Sequence, residues 1–278
     1  MTVECVPNFS EGRDPVVVSA IGEAVRSVAG AQLLDTTSDP DHNRSVLTFI
    51  GSPEAAGEAA FRAVRAAAER IDLRRHAGVH PRLGAADVVP FVPPGCADLA
   101  HAVGERIWAE LRIPVYFYEA AARRAECARL ENVRRMVPEG LKPDVGEGRH
   151  PSAGVCVVGA RKFLVAWNIN LRSRDLGAAK AMAREIRESS GGLAAVKAIG
   201  LPLESRGEVQ VSINLVDFEK TPLWVVFDAV ARRCAERRIE IAGSELIGMI
   251  PEAALEGSHG HDLQWLNLRP ELVLPSLN

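Results

Sequence analysis

The stretch RSVLTFIGSPEAAGEAAFRAVRAAAERI at residues 44–71 decides the fold, because it joins a strand to a long helix. Residues 44–50 alternate between apolar and polar side chains, which is typical of a half-buried strand. Ser52 is suited to be the N-cap of the helix, with Pro53 at the first helical position. The alanine-rich segment that follows predicts an amphipathic helix to about Ile71.

Elements of the same kind extend on both sides of this stretch. In the first half, strands are predicted at 2–7, 31–36, 44–50 and 87–92, and helices at 15–28 and 52–71. In the second half, strands are predicted at 163–170, 193–201, 208–216 and 239–243, and helices at 175–188 and 221–237. Between them lie a helix at 97–111, a strand at 114–118, a helical stretch through Arg135 and a connector at 138–154.

Each half therefore has the order βαββαβ, which is the split, ferredoxin-like arrangement. The expected fold class is α+β, with two ferredoxin-like lobes at residues 1–153 and 154–278. The connector is rich in Pro and Gly, so it could be a plain linker. It could also be a ligand loop in a groove between the lobes, because small-molecule sites tend to lie at such places.

Composition excludes several classes of protein. The 278 residues carry a net charge of −3 and only 5% aromatic residues, which argues against a nucleic-acid-binding protein. No apolar run approaches the roughly 20 residues of a membrane span, and the N-terminus lacks the pattern of a signal peptide. We therefore expect a cytoplasmic protein with no membrane partner. The five cysteines are scattered and form no CxxC pair, so we expect them to be reduced.

The loop RHAGVHPRLGA at residues 75–85 concentrates imidazole and guanidinium groups. Pro81 pushes His80 into an extended backbone, and an imidazole presented in this way is a candidate general acid/base. A solvated loop histidine is the plain alternative. His76 and His80 have the spacing of a helical metal pair, but Gly78 and Pro81 argue against a helix, so no metal is expected.

Two further polar clusters lie at strand ends, at residues 7–13 and 39–45. Each could be ordinary turn chemistry, because Asn, Asp, Gly and Pro favour turns for local reasons. We predict that the two clusters lie close together.

Seven blocks of sequence, taken together and in order, resemble the glutamate formiminotransferases. The blocks are CVPNFSEGR at 5–13, NRSV at 43–46, GVHPRLGA at 78–85, GARKF at 159–163, NINL at 168–171, QVSINL at 210–215 and GSELIG at 243–248. They span nearly the whole chain. The resemblance implies transfer of a formimino group from N-formimino-L-glutamate to N5 of tetrahydrofolate, in histidine degradation and one-carbon metabolism. It also implies a homodimer and tetrahydrofolate as co-substrate, with no metal.

The resemblance assigns the catalytic role to His80, which would act as general acid/base. The implied folate loop comprises Gly146, Glu147, Gly148, Arg149, His150, Pro151, Ser152, Ala153 and Gly154. Both substrates carry carboxylates, which arginine can bind through two parallel hydrogen bonds. The expected carboxylate contacts are therefore Arg13, Arg44, Arg82 and Arg161. Asn8, Ser10 and Asn43, which lie in the matching blocks, are further expected substrate and folate contacts.

Three alternatives stay open at this stage. One is formyl transfer between 5-formyltetrahydrofolate and glutamate on the same scaffold. A second is a non-catalytic folate- or amino-acid-binding protein, because a fold does not determine a function. The third is an RNA-binding protein, which the net charge and the low aromatic content disfavour.

Overall fold

The structure, a computed structural model, describes residues 1–78 and 82–274 of a mixed α/β protein. The chain divides into two compact units, the first ending at Lys162 and the second beginning at Phe163. The predicted boundary at 153/154 lies earlier, because residues 156–160 form a strand of the first sheet. No helix in the described ranges has the length and apolarity needed to cross a membrane.

The first unit is built on one mixed sheet flanked by helices. Its described strands are β1 Val3–Cys5, β2 Asn8–Phe9, β3 Ala31–Asp39, β4 Arg44–Gly51, β5 Ala86–Val92, β6 Val115–Glu119 and β7 Cys156–Ala160. Its helices are α1 Pro15–Arg26, α2 Pro53–Arg70, α3 Ala97–Leu111 and α4 Leu130–Met136. Strand β3 pairs with β4, β4 pairs with both β1 and β2, and these lie beside β5, which is followed by β7 and β6.

The predicted Ser52 cap is confirmed, and Asp14 caps helix α1 in the same way. The Ser52 side chain accepts a hydrogen bond from the Ala55 N–H at 3.2 Å, and the Asp14 side chain accepts one from the Val16 N–H at 2.9 Å. Capping satisfies backbone donors that have no partner inside the helix. Helix α2 then places its alanines and Phe61 in the core beneath the sheet.

The prediction of a single first strand at 2–7 is wrong. The structure has the two short strands β1 and β2 instead, joined through Val6 and Pro7. Proline has no N–H to donate to a ladder, but its carbonyl still accepts from Leu47 N–H at 3.1 Å. After this interruption the chain pairs again with β4 and β5 as β2, and Asn8 of β2 lies at the site described below.

Strand β7 was not predicted, and it makes the first sheet larger than one βαββαβ unit. It lies between β5 and β6 and is parallel to both. All five of its residues are buried. Parallel strands that are covered on both faces have continuous apolar sequences without alternation. The segment therefore gave no signal of period two.

The second unit has a four-stranded antiparallel sheet in the order β11-β8-β10-β9. Its strands are β8 Val165–Leu171, β9 Val196–Leu203, β10 Glu208–Leu215 and β11 Ile241–Ile247, and its longer helices are α5 Leu176–Ile186 and α6 Leu223–Arg237. A short helix α7 Glu252–Glu256 and the small pair β12 Ile250–Pro251 and β13 Val273–Leu274 follow. Trp167, Ile169 and Leu171 of β8 lie in the core with residues of α5 and α6.

Two helical glycines provide a matched test of the packing in the first unit. A Cβ at Gly104 of α3 would lie 2.5 Å from Phe117 Cε1, whereas the nearest atoms at Gly22 of α1 are 3.4 Å away. We expect Gly22→Ala to raise the free energy of unfolding by up to about 1 kcal/mol, because alanine favours the helix. Gly104→Ala should lower it by about 1–3 kcal/mol through overpacking. Urea unfolding measures both, and changes of the same sign would contradict this packing.

Candidate functional site

A buried carboxylate, Asp87, joins three parts of the first unit at the start of β5. Only 1% of its surface is exposed. Its Oδ1 accepts a hydrogen bond from the Leu83 N–H at 2.6 Å, and its Oδ2 accepts from Arg44 Nη1 at 3.0 Å and Arg134 Nη2 at 2.5 Å. One side chain thus connects β4, α4 and the end of the loop at residues 75–85, called the His/Arg loop below.

The charges in this cluster stabilise one another. Burial by itself would raise the pKa of Asp87, but Arg134, Arg44 and the Leu83 N–H outweigh it and hold that pKa below its usual value. Burial lowers the pKa of Arg44 to about 10, with Asp87 opposing the shift. At neutral pH Asp87 is therefore an anion and Arg44 a cation, as a buried pair requires.

Asn8 holds the other edge of the Arg44 guanidinium. Its Oδ1 accepts from Arg44 Nη2 at 2.7 Å and from Arg44 Nε at 3.1 Å. Its Nδ2 donates to the Val6 carbonyl at 2.8 Å, which orients the amide. The plane of the Arg44 guanidinium is consequently fixed between Asn8 and Asp87.

Asn43 connects the two polar clusters to the His/Arg loop. Its Oδ1 accepts from the Gly12 N–H at 3.0 Å, and its Nδ2 donates to the Ala77 carbonyl at 3.0 Å. A side chain at Gly12 would collide with backbone atoms of Asp39 and Arg44. The structure therefore brings residues 7–13 and 39–45 together, as expected.

Arg82 follows Ala77 in the His/Arg loop, and its guanidinium is directed toward His42 and Asn43. Its Nη2 donates to the His42 carbonyl at 2.9 Å and its Nη1 to the Asn43 carbonyl at 3.2 Å. Its Nη1 also contacts His76 Nδ1 at 2.5 Å. Burial and the charge of Arg82 both lower the pKa of His76, so His76 is suited to accept this hydrogen bond as a neutral ring.

The predicted folate loop at 146–154 is attached to the end of the His/Arg loop. Ala85 N–H donates to the Ala153 carbonyl at 2.9 Å, and Val155 N–H donates to the Leu83 carbonyl at 3.1 Å. Gly154 has a φ of +71°, and a Cβ there would lie 2.3 Å from the Leu83 oxygen. Only glycine permits so close an approach in this conformation.

Ser10 continues this connection to the first strand pair. Its hydroxyl donates to the Gly84 carbonyl at 2.7 Å, and its N–H donates to the Ala85 carbonyl at 2.9 Å. Ser10 is 2% exposed. Ser10 therefore anchors the end of the His/Arg loop at Gly84 and Ala85, and little of its surface is accessible to a ligand.

Side chains of the 146–154 loop have different environments. His150 Nδ1 accepts from the Ala153 N–H at 3.0 Å, and Arg149 Nη2 donates to the Leu83 carbonyl at 3.3 Å. Ala153 is buried in the core of the first unit, so its side chain is a packing group. Among the remaining residues of this loop, Glu147, Gly148 and Pro151 are exposed and Ser152 is half-buried. Gly146 lies close to the Trp108 ring.

Arg161 lies apart from the other predicted arginines. Its N–H donates to the Phe91 carbonyl at 2.9 Å, and Phe91 is four residues beyond Asp87 along β5, a distance of about 13 Å. Its neighbour Glu4 is 4% exposed. Burial raises the pKa of Glu4 to about 7, and the charge of Arg161 opposes the shift. The structure therefore places Arg161 near the opposite end of β5 from Arg44.

Arg13, in contrast, lies near the Arg44 and Arg82 cluster. Its Nε donates to the Pro40 carbonyl at 2.8 Å. Its charge is one of the influences that lower the pKa of Arg82, whose largest cause is burial. Arg13 therefore adds positive charge to the same side of the molecule.

His80, the residue assigned the catalytic role, lies outside the described residues. Its flanks are described: Ala77 and Arg82 are both hydrogen-bonded to Asn43. Sequence reasoning missed Asp87 and Arg134. Asp87 gave one signal, a charged residue within an otherwise apolar strand, whereas Arg134 gave none. Within residues 1–78 and 82–274, no group of three His, Cys, Asp or Glu side chains could hold a metal ion.

Comparisons with known proteins cover most of the chain. Residues 2–161 match the formiminotransferase domain, N-terminal subdomain, and residues 166–264 match the formiminotransferase domain. A glutamate formimidoyltransferase of Streptococcus pyogenes serotype M1 is 43% identical, covering 91% of this chain and 90% of that protein. One from Thermoplasma acidophilum is 42% identical, covering 91% and 89%. The formimidoyltransferase-cyclodeaminase of Sus scrofa is 44% identical, and the match covers 91% of this chain and 51% of that protein.

Asp87→Asn tests the buried cluster. We expect the free energy of unfolding at pH 7 to fall by about 3–5 kcal/mol, because two buried cations lose their shared anion. The folded pKa of Asp87 is lowered. Its stabilisation is therefore complete above the unfolded pKa of about 4 and is lost as the pH falls through the folded value. The deficit of the variant should shrink on acidification.

Urea unfolding at neutral pH and at about pH 3 measures this deficit, because the two values lie on either side of the unfolded pKa. The control is Glu240→Gln, which removes an exposed ion pair with Arg172 and should change stability little. A deficit for Asp87→Asn that stays constant as the pH falls would contradict the proposed pairing.

Proposed function

Because the chain belongs to the formiminotransferase family, we propose that it transfers the formimino group of N-formimino-L-glutamate to N5 of tetrahydrofolate. The products are 5-formiminotetrahydrofolate and L-glutamate. The observation that carries the proposal is that the Arg44 and Arg82 cluster and the 146–154 loop are both hydrogen-bonded to described residues of the His/Arg loop. The described residues supply cations for carboxylate recognition, and the resemblance to the family assigns the titratable group to His80.

The reaction needs proton transfer at two nitrogens. N5 of the folate attacks the amidine carbon and forms the new C–N bond, and N5 must then lose its proton. The bond between that carbon and the glutamate nitrogen breaks, and the departing nitrogen must gain a proton. An imidazole can accept the first proton and donate it to the second nitrogen, which contributes roughly 10²–10⁴-fold to the rate.

We assign the proton transfer to His80 and carboxylate binding to the arginines beside it. Asn43 is hydrogen-bonded to Ala77 and to Arg82, described residues that precede and follow His80 in the sequence. Arg44 is fixed by Asn8 and Asp87, and Arg82 by the His42 and Asn43 carbonyls. Rigid guanidiniums lose little entropy when they bind a carboxylate, and they hold two substrates in line.

The other assigned contacts have supporting roles in this proposal. Asn8, Ser10 and Asn43 position the loops, and Arg13 adds positive charge near Arg82. The 146–154 loop contacts the folate through its exposed backbone and through Arg149 and His150. Arg161 would contact a part of a ligand distant from the reacting atoms.

Several broader features belong to the same proposal. Tetrahydrofolate is the co-substrate and no metal takes part. The protein acts in the cytoplasm as a homodimer, in histidine degradation and one-carbon metabolism. The second unit follows a ferredoxin-like βαββαβ plan, which the order β11-β8-β10-β9 with its two helices supports. The first unit follows the same plan and extends it with β6 and β7. The groove expected from the sequence stays a prediction.

A direct assay tests the reaction and its donor. We expect the purified protein to release glutamate from N-formimino-L-glutamate when tetrahydrofolate is present. Parallel reactions with N-formyl-L-glutamate and with 5-formyltetrahydrofolate plus glutamate should be slower, because the proposal concerns an amidine donor. Faster turnover in a formyl reaction would support formyl transfer instead. Folate binding without turnover on any donor would support a binding protein.

Substitution of the two loop histidines tests the catalytic assignment. His80→Ala should retain tetrahydrofolate binding but lose roughly 10²–10⁴-fold in kcat, because proton transfer is lost. His76→Ala should have a milder effect that appears mainly in KM, because His76 contacts Arg82. Steady-state kinetics and equilibrium binding separate the two effects. Comparable kcat in the His80→Ala and wild-type proteins would remove His80 from the mechanism.

A further inference from the structure

His150 closes a turn in the 146–154 loop with its backbone and with its ring. Its N–H donates to the Gly154 carbonyl at 2.8 Å, and its carbonyl accepts from the Gly154 N–H at 3.0 Å. Inside this turn, the Ala153 N–H donates to His150 Nδ1 at 3.0 Å, and the Ser152 N–H lies 3.4 Å from the same atom. The imidazole therefore satisfies backbone donors of the turn that it closes.

The bonds to Nδ1 determine which ring nitrogen carries the proton. A neutral imidazole has one N–H, and its other nitrogen accepts. Because His150 Nδ1 accepts from the Ala153 N–H, a proton on Nδ1 would place two donors face to face. The neutral ring therefore carries its proton on Nε2, where it donates a hydrogen bond and cannot accept one.

The Nε2 atom of His150 is available to a ligand. It makes no hydrogen bond with any of residues 1–78 and 82–274, and it is not buried. The ring is half-buried, whereas Glu147, Gly148 and Arg149 beside it are exposed. The loop therefore presents an oriented imidazole N–H at an accessible position.

The turn is attached to the rest of the first unit. Leu73 N–H donates to the Ser152 carbonyl at 2.9 Å, and Ala85 N–H donates to the Ala153 carbonyl at 2.9 Å. Both bonds come from residues that flank the turn on the side of the His/Arg loop. The direction of the His150 ring is consequently set before a ligand arrives, which lowers the entropy cost of binding.

We propose that His150 holds the loop through Nδ1 and donates a hydrogen bond from Nε2 to an oxygen of tetrahydrofolate. The second part rests on the proposed folate-dependent reaction. The oxygens that fit are O4 of the pterin and those of the aminobenzoylglutamate tail, because each accepts a hydrogen bond. The pterin N3–H and the amidinium of the formimino donor do not fit, because both only donate.

The same geometry separates His150 from the proton transfer. Nδ1 is occupied by backbone donors, and Nε2 already carries a proton, so the neutral ring has no free acceptor. His150 therefore binds and positions the folate but does not exchange protons with it. Its loss should change KM for tetrahydrofolate and leave kcat intact.

Two substitutions separate the roles of the ring nitrogens. In His150→Asn the amide oxygen can take the place of Nδ1, but no atom reaches the position of Nε2. In His150→Gln the amide nitrogen reaches the position of Nε2, but Nδ1 is not replaced. The first variant keeps the bond inside the turn, and the second keeps the donor to the ligand.

Steady-state kinetics test the donor role. We expect His150→Asn to raise KM for tetrahydrofolate about 3- to 10-fold, because one hydrogen bond is lost. Its kcat and its KM for N-formimino-L-glutamate should not change. The control is His259→Asn, which replaces an exposed histidine of the second unit and should leave all three constants unchanged. A wild-type KM for tetrahydrofolate in His150→Asn, or a loss confined to kcat, would overturn this role.

Hydrogen exchange of the Ala153 amide tests the role of Nδ1 without any substrate. The amide should be protected in the wild-type protein and in His150→Asn. In His150→Gln it should exchange about 10-fold faster, because its acceptor is gone. Equal protection in His150→Gln and the wild-type protein would show that Nδ1 does not hold the turn.

The ¹⁵N chemical shifts of the His150 ring report the tautomer directly. The spectrum is recorded at about pH 8, above the range in which histidine usually titrates. We expect the proton on Nε2, and the signal is assigned by its absence from His150→Asn. A proton on Nδ1 would contradict the proposal.

Two ligand fragments identify the oxygen, with affinities measured by calorimetry. Weaker binding of p-aminobenzoylglutamate to His150→Asn would place the acceptor on the tail, and weaker binding of a tetrahydropterin would place it at O4. Either result supports the hydrogen bond. Undiminished binding of both fragments and of 5-formyltetrahydrofolate would overturn it.

The outcome for His150 is separable from that for the proposed function. If the wild-type protein transfers the formimino group and His150→Asn has the wild-type KM for tetrahydrofolate, only the donor role fails. If the wild-type protein neither binds folate nor transfers the group, the proposed function fails and the donor role fails with it. Hydrogen exchange and the tautomer still decide the role of Nδ1 in that case.

Discussion

The Asp87 carboxylate is the constraint on which the arrangement of the first unit depends. It is buried at the start of a central strand, and it accepts hydrogen bonds from β4, α4 and the loop before β5. A carboxylate in this position is tolerated only because cations and an amide surround it. The same hydrogen bonds fix the positions of the Arg44 and Arg134 guanidiniums. Stability and the geometry of the candidate site therefore depend on the same ion cluster.

Local signals in the sequence account for much of the fold. Helix α3 begins at Ala97 and ends at Leu111, as its apolar periodicity predicts, and the Ser52 and Asp14 caps follow from the chemistry of single residues. The failures have a different origin. Strand β7 is recognisable only from its neighbours, since both of its faces are covered, and the first strand is split because Pro7 cannot continue the ladder.

The candidate site was predictable only in part, for a similar reason. Asn8, Asn43, Arg44 and Arg82 were identified from their residue types and from a family resemblance, and the structure brings them together. Their positions depend on Asp87 and Arg134, which are 47 residues apart in the chain. No local pattern couples two such residues. Arg161 is the opposite case. Its residue type suits carboxylate binding, but the structure places it near the opposite end of β5 from Arg44.

Strand β7 also affects how the first unit forms. It is parallel to β5 and β6 and lies between them, and a parallel pair requires a long crossover of intervening chain. Contacts between residues far apart in sequence slow folding. Until residue 160 has been synthesised, β5 and β6 each have an open edge with unpaired backbone groups. Such edges favour pairing with other chains. Insertion of β7 covers the open edge of β5, and β6 becomes the edge strand of the completed sheet.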